Sequence, residues 1–198
     1  QHTYTITNDD TASVGFDAAL SSVKEGDSGT TAHAIKVNLS TAAAFDTTLN
    51  YTISGTASST DFTITKSSAS PITIPAGSTF ANISFNVNGD TLVEGDETII
   101  LTLNGVTGGG TNTLTIDSAK AVYTHTITND DFILANFSSA ISNGLEGNSG
   151  TTPVTIPVTL SQTSTSAISI AYTIGGTTDS TDHTLTSGTL TFLAGATT

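Results

Sequence analysis

The chain has 198 residues, 17 of them acidic and 4 basic, and a formal net charge of −13. The four basic residues are all lysine (Lys24, Lys36, Lys66, Lys120), and Cys, Met and Trp are absent. So few cations exclude binding to nucleic acid phosphates or an anionic membrane surface; the lack of Cys excludes disulfides, thiolate zinc sites and Cys nucleophiles. No apolar run is long enough for membrane insertion as a helix, and the excess of acidic over basic residues makes cations the partners to expect.

In chain order, apolar and polar residues alternate at period two, the signature of half-buried strands. The first predicted strand covers residues 12–16 and continues to Val23. The second, 32–39, turns Ile35, Val37 and Leu39 to one face, and the third, 48–54, does the same with Leu49, Tyr51 and Ile53. A fourth at 62–65 is followed by 80–87, with Ile83, Phe85 and Val87, and by 98–103, with Ile99, Leu101 and Leu103. The seventh, 121–128, carries Tyr123, His125 and Ile127. Thr, roughly one residue in five, suits the exposed faces of strands, while Gly, Ser, Asn and Asp clusters supply the turns. No stretch has helical spacing. About seven short strands in roughly 120 residues predict an all-β, immunoglobulin-like antiparallel β-sandwich.

The chain also repeats itself. Thr5-Ile6-Thr7-Asn8-Asp9-Asp10 recurs letter for letter as Thr126-Ile127-Thr128-Asn129-Asp130-Asp131, 121 residues later. At the same offset Glu25-Gly26-Asp27 returns as Glu146-Gly147-Asn148, Tyr51-Thr52-Ile53 as Tyr172-Thr173-Ile174, and Ser59-Thr60-Asp61 as Ser180-Thr181-Asp182. Matches in register predict tandem units. Residues 1–10 read as the last strand of a preceding unit, 11–131 as a complete one, and 132–198 as the first part of the next. The later unit repeats the strand pattern with Ile156, Val158 and Leu160, then Ile170, Tyr172 and Ile174. Asp131 runs straight into the strand-like Phe132-Ile133-Leu134, so units joined with almost no linker are expected to form a stiff rod.

If the strands alternate in direction, the connections after the first, third and fifth predicted strands share one end with the close of the seventh. That end gathers Glu25, Asp61, Asp90, Glu94, Asp96, Glu97, Asp130 and Asp131, beside Asn129. The other end receives Asp46, Lys66 and the Gly-rich segment 104–112, read as a loop. Single exposed acids commonly serve solubility. Eight in one group repel each other unless they hold a counter-charge, and Ca²⁺, which takes about six to eight oxygen ligands in tolerant geometry, suits that role better than strictly octahedral Mg²⁺.

Several of these stretches together resemble the Calx-β domain. They are Glu25; Tyr51-Thr52-Ile53-Ser54-Gly55-Thr56-Ala57 with Ser59-Thr60-Asp61-Phe62; Ile74-Pro75-Ala76-Gly77; Asn88-Gly89-Asp90-Thr91-Leu92-Val93-Glu94-Gly95-Asp96-Glu97; and Ile127-Thr128-Asn129-Asp130-Asp131. That module binds calcium in sodium–calcium exchangers and integrin β4 and is common in large bacterial surface proteins. The resemblance implies Ca²⁺ ligands at Glu25, Asp61, Asp90, Glu94, Glu97, Asp130 and Asp131, matched in the next unit by Glu146 and Asp182. Two positions depart from the family: Asn129 replaces the first of three Asp, and Gly89 the first of two paired acids.

No Ser, His and Asp fall into an arrangement with a catalytic mechanism, so no enzyme is expected. His125 reads as packing at a strand edge, His33 and His183 as isolated residues, and Asn38, Asn50, Asn82 and Asn136 lie in glycosylation-type sequons. The expected function is a calcium-binding structural repeat of an extracellular adhesin, matrix or surface-filament protein, with Ca²⁺ rigidifying the junctions. Its partners would be neighbouring repeats of the same or identical chains and a cell-surface or matrix target. The alternative is a surface module recognising glycan or protein, for which Phe45 is the aromatic candidate. An intracellular calcium sensor ranks below both, since it conflicts with the close-coupled repeats and the Cys-free, Thr-rich composition; an affinity of about micromolar would tell it apart.

Overall fold

Strand by strand, the alternation in sequence becomes alternation in burial. The computed structural model describes residues 1–5, 9–110 and 113–198, and divides into two compact units, Gln1–Asp131 and Phe132–Thr198. The first unit holds β1 (Thr11–Phe16), β2 (Leu20–Lys24), β3 (Gly29–Leu39), β4 (Thr47–Gly55), β5 (Phe62–Ile64), β6 (Ile72–Ile74), β7 (Phe80–Gly89), β8 (Glu97–Gly108), β9 (Thr113–Ile116) and β10 (Val122–Thr128). One sheet has the order β5-β7-β3-β1-β9 and the other β2-β10-β8-β4-β6. Their inward rows, among them Val14, Phe16, Ile35, Val37, Leu49, Tyr51, Ile83, Phe85, Val87, Ile99, Leu101 and Ile127, fill one core. Burying each large apolar side chain contributes on the order of 1.5–3 kcal/mol. Two sheets closed over such a core make an immunoglobulin-like β-sandwich.

Ten strands appear where about seven were expected. The first predicted strand is divided between the sheets: β1 pairs antiparallel with β3 and parallel with β9, whereas β2 crosses over and runs parallel to β10. A strand that changes sheets half-way keeps its direction, so each half lies beside a strand running the same way. The sandwich is therefore not antiparallel throughout. The Gly-rich segment expected as a loop is largely strand. The β4–β8 ladder continues past a register shift at Asn50/Tyr51 to Gly108, and residues 111–112 of that segment lie outside the described residues. The short β6 and β9 are too brief for periodicity to separate them from turns.

Residues 1–5 and 9–10 are exposed and carry no strand; residues 6–8 of that expected strand lie outside the described residues. In the second unit β11 (Ala135–Phe137) pairs with β12 (Val158–Leu160), and β13 (Ile168–Tyr172) with β14 (Gly188–Phe192), both antiparallel. Regular structure thus starts at Ala135, just after the strand-like Phe132-Ile133-Leu134. No helix among the described residues is long and apolar enough to cross a membrane.

Candidate functional site

The acidic cluster of the first unit is built by strand ends. Glu25 extends the pairing of β2 with β10, its N–H donating to the Thr128 carbonyl at 3.2 Å. That pairing directs its side chain inward, where the residue is only 6% exposed and Oε1 has no hydrogen-bond partner. Burial, then the charges of Asp90, Asp131, Glu94 and Asp130, push its carboxyl up to about 7.

Asp61 stands just before β5 and is also buried. Burial works to raise its carboxyl, but hydrogen bonds from Ser58, Glu97 and Thr60 outweigh it and hold the group below its ordinary value. The Ser58 N–H donates at 2.5 Å and the Thr60 hydroxyl at 3.0 Å. Glu97, which opens β8, responds in the opposite sense. Its carboxyl rises to about 7 through burial, the hydrogen bond it gives Asp61, and the charges of Asp61 and Glu94. Glu94 is raised by burial and by Asp61 and Asp90. One oxygen from each of Asp61, Glu94 and Glu97 lies within 4.8 Å of the other two.

Asp130 accepts from the Gly26 N–H at 3.0 Å and lies 3.9 Å from the Lys24 ammonium. Asp131 follows with a buried, unpartnered Oδ2, and burial and the charges of Asp27, Asp130 and Asp90 raise its carboxyl. Asp90 shapes its own loop by accepting from the Leu92 N–H at 2.7 Å.

Asn129 ties these pieces together. Its N–H donates to Asp96 Oδ1 at 3.2 Å, its Oδ1 accepts from the Glu94 N–H at 3.2 Å, and its Nδ2 donates to the Asp131 carbonyl at 3.0 Å. An Asp could not make that last bond, which accounts for an amide at this position. Gly89 has an equally local cause: a β-carbon there would stand 2.2 Å from the Gly26 carbonyl oxygen, so no acid fits.

The structure therefore gathers Asp61, Glu94 and Glu97 into a trio and sets Asp90, Asp130 and Asp131, with Glu94, within electrostatic reach of Glu25. Glu146 and Asp182 of the second unit lie apart from any such trio among the described residues. Glu146 is exposed and its carbonyl accepts from Thr152 Oγ1 at 3.3 Å, while the Asp182 carboxylate accepts from the Asp179 N–H at 2.9 Å. Asp27, which acts on Asp131, was missed; the recurrence of residues 25–27 as Glu146-Gly147-Asn148 was the available signal. The histidine reading needs correction as well. His125 lies on β10, between β2 and β8, and is 1% exposed, so it is interior rather than at an edge. His33 is not isolated, since its ring lies 4.9 Å from that of His125.

The donors at the acidic end are all oxygens, and the nearby cation, Lys24, keeps its side chain 73% exposed. Unpartnered buried oxygens on Glu25 and Asp131 fit a hard cation that would supply the missing charge.

Fold and site together define a β-sandwich module with a carboxylate-rich loop cluster at one end. The model of the LapA domain matches residues 10–129, more than half of the chain, and the chain belongs to that family. No curated protein matches it. Among solved structures it is similar to the apo-form Calx CBD1 domain, with 20% identity and a TM-score of 0.48 over 62% of this chain and 100% of that one. It is also similar to CBD12 from CALX1.2, with 18% identity and a TM-score of 0.49 over 93% and 72% of the two chains. A putative carbohydrate binding protein from Bacteroides ovatus shares 13% identity, with a TM-score of 0.48 over 64% of this chain and 40% of its own.

Proposed function

We propose that the unit ending at Asp131 is a calcium-binding structural module of an extracellular, adhesin-type surface protein. The observation that carries the calcium reading is the Glu25 carboxylate, enclosed among other acids with an oxygen that no donor reaches. Membership of the LapA domain family supports the surface and adhesion reading. Asp61, Glu94 and Glu97 would hold the ion, with Glu25, Asp90, Asp130 and Asp131 completing its shell or holding a second one.

Bound Ca²⁺ supplies the positive charge that the chain lacks. The residues then act as a clamp: Glu25 fixes the end of β2, Asp61 the entry to β5, Asp90 and Glu94 the β7–β8 connection, and Asp130 and Asp131 the end of β10. Because Asp131 is the last residue of the unit, holding it also holds the start of the connection to Phe132. Calcium would in this way stiffen the junction between neighbouring repeats, the protein's partners being further repeats and a surface or matrix target.

Extracellular modules bind Ca²⁺ with Kd of about 10⁻⁴ to 10⁻³ M, and a tenfold excess over Kd stabilises by roughly 1–2 kcal/mol. Thermal unfolding of the whole chain with chelator, with Ca²⁺ and with Mg²⁺ tests this. A midpoint raised by Ca²⁺ well above the Mg²⁺ value supports the reading, and identical midpoints in all three overturn it.

A further inference from the structure

Away from the carboxylates, two histidines meet between the sheets of the first unit, His125 fully buried and His33 half-buried. His33 on β3 and His125 on β10 approach to 4.9 Å between ring centroids, at 51° between planes. Phe85 touches both, stacked on His33 at 5.6 Å and edge-on to His125 at 5.0 Å. A 2.6 Å hydrogen bond joins His125 Nδ1 to Ser21 Oγ on β2, and the Nε2 atoms of both histidines are buried with no partner. Since β3 belongs to one sheet and β2 and β10 to the other, the pair bridges the sandwich.

A neutral imidazole tolerates this environment, but a charged one does not. Protonation puts an N–H on both ring nitrogens, each needing an acceptor, and burying a charge without one is strongly unfavourable. Among the described residues, the groups facing the pair supply no counter-charge. β7 presents Phe85, β5 presents Phe62 against that ring, β8 places Ile99 beside His125, and β2 offers only the Ser21 hydroxyl. Of the lysines on these strands, Lys24 is mostly in solvent and Lys36 lies over the Phe80 ring. Glu25, Asp61 and Glu97 at the strand ends act on other carboxyls. Burial, then the charge of His33, lowers the His125 imidazole to about 4, and burial lowers His33 as well.

We infer that His33 and His125 form an acid-release latch between the two sheets, closed while both rings are uncharged and opened when the medium becomes acidic. The pairing belongs to this unit: one repeat length away, the matching positions hold Tyr4 and Val154. A His whose folded value is depressed contributes stability that is complete above its ordinary 6.5 and is lost as pH falls toward about 4. An acidified surface would thus loosen this unit through groups separate from the carboxylate cluster.

The test compares the whole chain with its H33V/H125Y double variant, using residues the chain itself carries at matched positions. Thermal midpoints are measured with chelator between about pH 7.5 and 4.5, where the carboxylates affect both proteins alike. Relative to the variant, the wild type is expected to lose stability as pH falls, whatever common trend the carboxylates give both proteins, so the wild-type minus variant difference in midpoint becomes less favourable toward acid. A difference that stays constant over the interval overturns the inference. If the variant does not fold, NMR titration of the wild-type imidazoles decides. A His125 ring neutral until dispersed signals vanish supports the latch, and one titrating near 6.5 with the fold intact defeats it.

Discussion

Gly89 and Gly26 meet backbone to backbone beside the acidic cluster: a β-carbon on Gly89 would stand 2.2 Å from the Gly26 carbonyl oxygen and 2.7 Å from that of Glu25. The register that pairs Gly89 with Gly29 brings the end of β7 against the turn that carries Glu25. Close approach is thus what places a buried carboxylate beside the β7–β8 connection.

Gly89→Ala must push these backbones apart. It is expected to lower stability by about 1–3 kcal/mol, within the range of strained core substitutions, and to weaken Ca²⁺ binding together with it. Chemical denaturation and calcium titration of the same protein check both effects. An unchanged calcium affinity would show that the approach of Gly89 does not position the site.

Without cation, the carboxylates should make the unit more stable in mild acid. Glu25 and Glu97 take up protons at about 7 in the folded unit, against an ordinary 4.5. Between these values the folded state binds more protons than the unfolded chain, so their contribution is complete below 4.5 and is lost as pH rises through 7. His125 works in the opposite sense across much of the same window, so the comparison must hold the histidines constant. An E25Q/E97Q variant in chelator should lack the carboxylate component. Subtracting its midpoints from wild type should leave a difference that becomes less favourable to wild type toward alkaline pH.

Asn129→Asp separates the two roles of this position. The carboxylate loses the Nδ2 donor to the Asp131 carbonyl and adds a negative charge to the group. The cation-free protein should unfold at lower temperature, by roughly the 1–3 kcal/mol of an unsatisfied bond plus repulsion. Its Ca²⁺-induced rise in midpoint should be larger than that of wild type, since a more negative ligand set binds the ion more tightly. A smaller rise would show that the amide scaffold matters more than charge.

Strand existence was legible in the sequence because the inward rows are long and regular: Ile83, Phe85, Val87 and Ile99, Leu101, Leu103 alternate over at least five residues and all are buried. The equally short β5 was expected at 62–65, but β6 and β9 were not, because each is shorter than the pattern needed to identify it. Nor could periodicity reveal the change of sheet between Phe16 and Leu20, which depends on pairing with β9 and β10 far along the chain. At the site, chain order placed the acids at one end but gave no distances. It could not tell the trio of Asp61, Glu94 and Glu97 from the acids around Glu25, nor explain why Gly89 and Asn129 replace acids. Those answers lie in backbone contacts between segments remote in sequence.

Glu25→Gln tests the buried charge directly. The amide keeps the shape of the side chain and removes a group whose ionised form is disfavoured by burial and by Asp90, Asp131, Glu94 and Asp130. At neutral pH and without cation, the variant should therefore be at least as stable as wild type, which distinguishes it from an ordinary core substitution. Under the proposed function the same change withdraws a charged ligand, so the midpoint rise produced by millimolar Ca²⁺ should shrink. Glu146→Gln, made at the matching exposed position of the second unit, should change neither quantity for the first unit. A variant destabilised in chelator yet fully responsive to Ca²⁺ would mean that Glu25 serves packing alone.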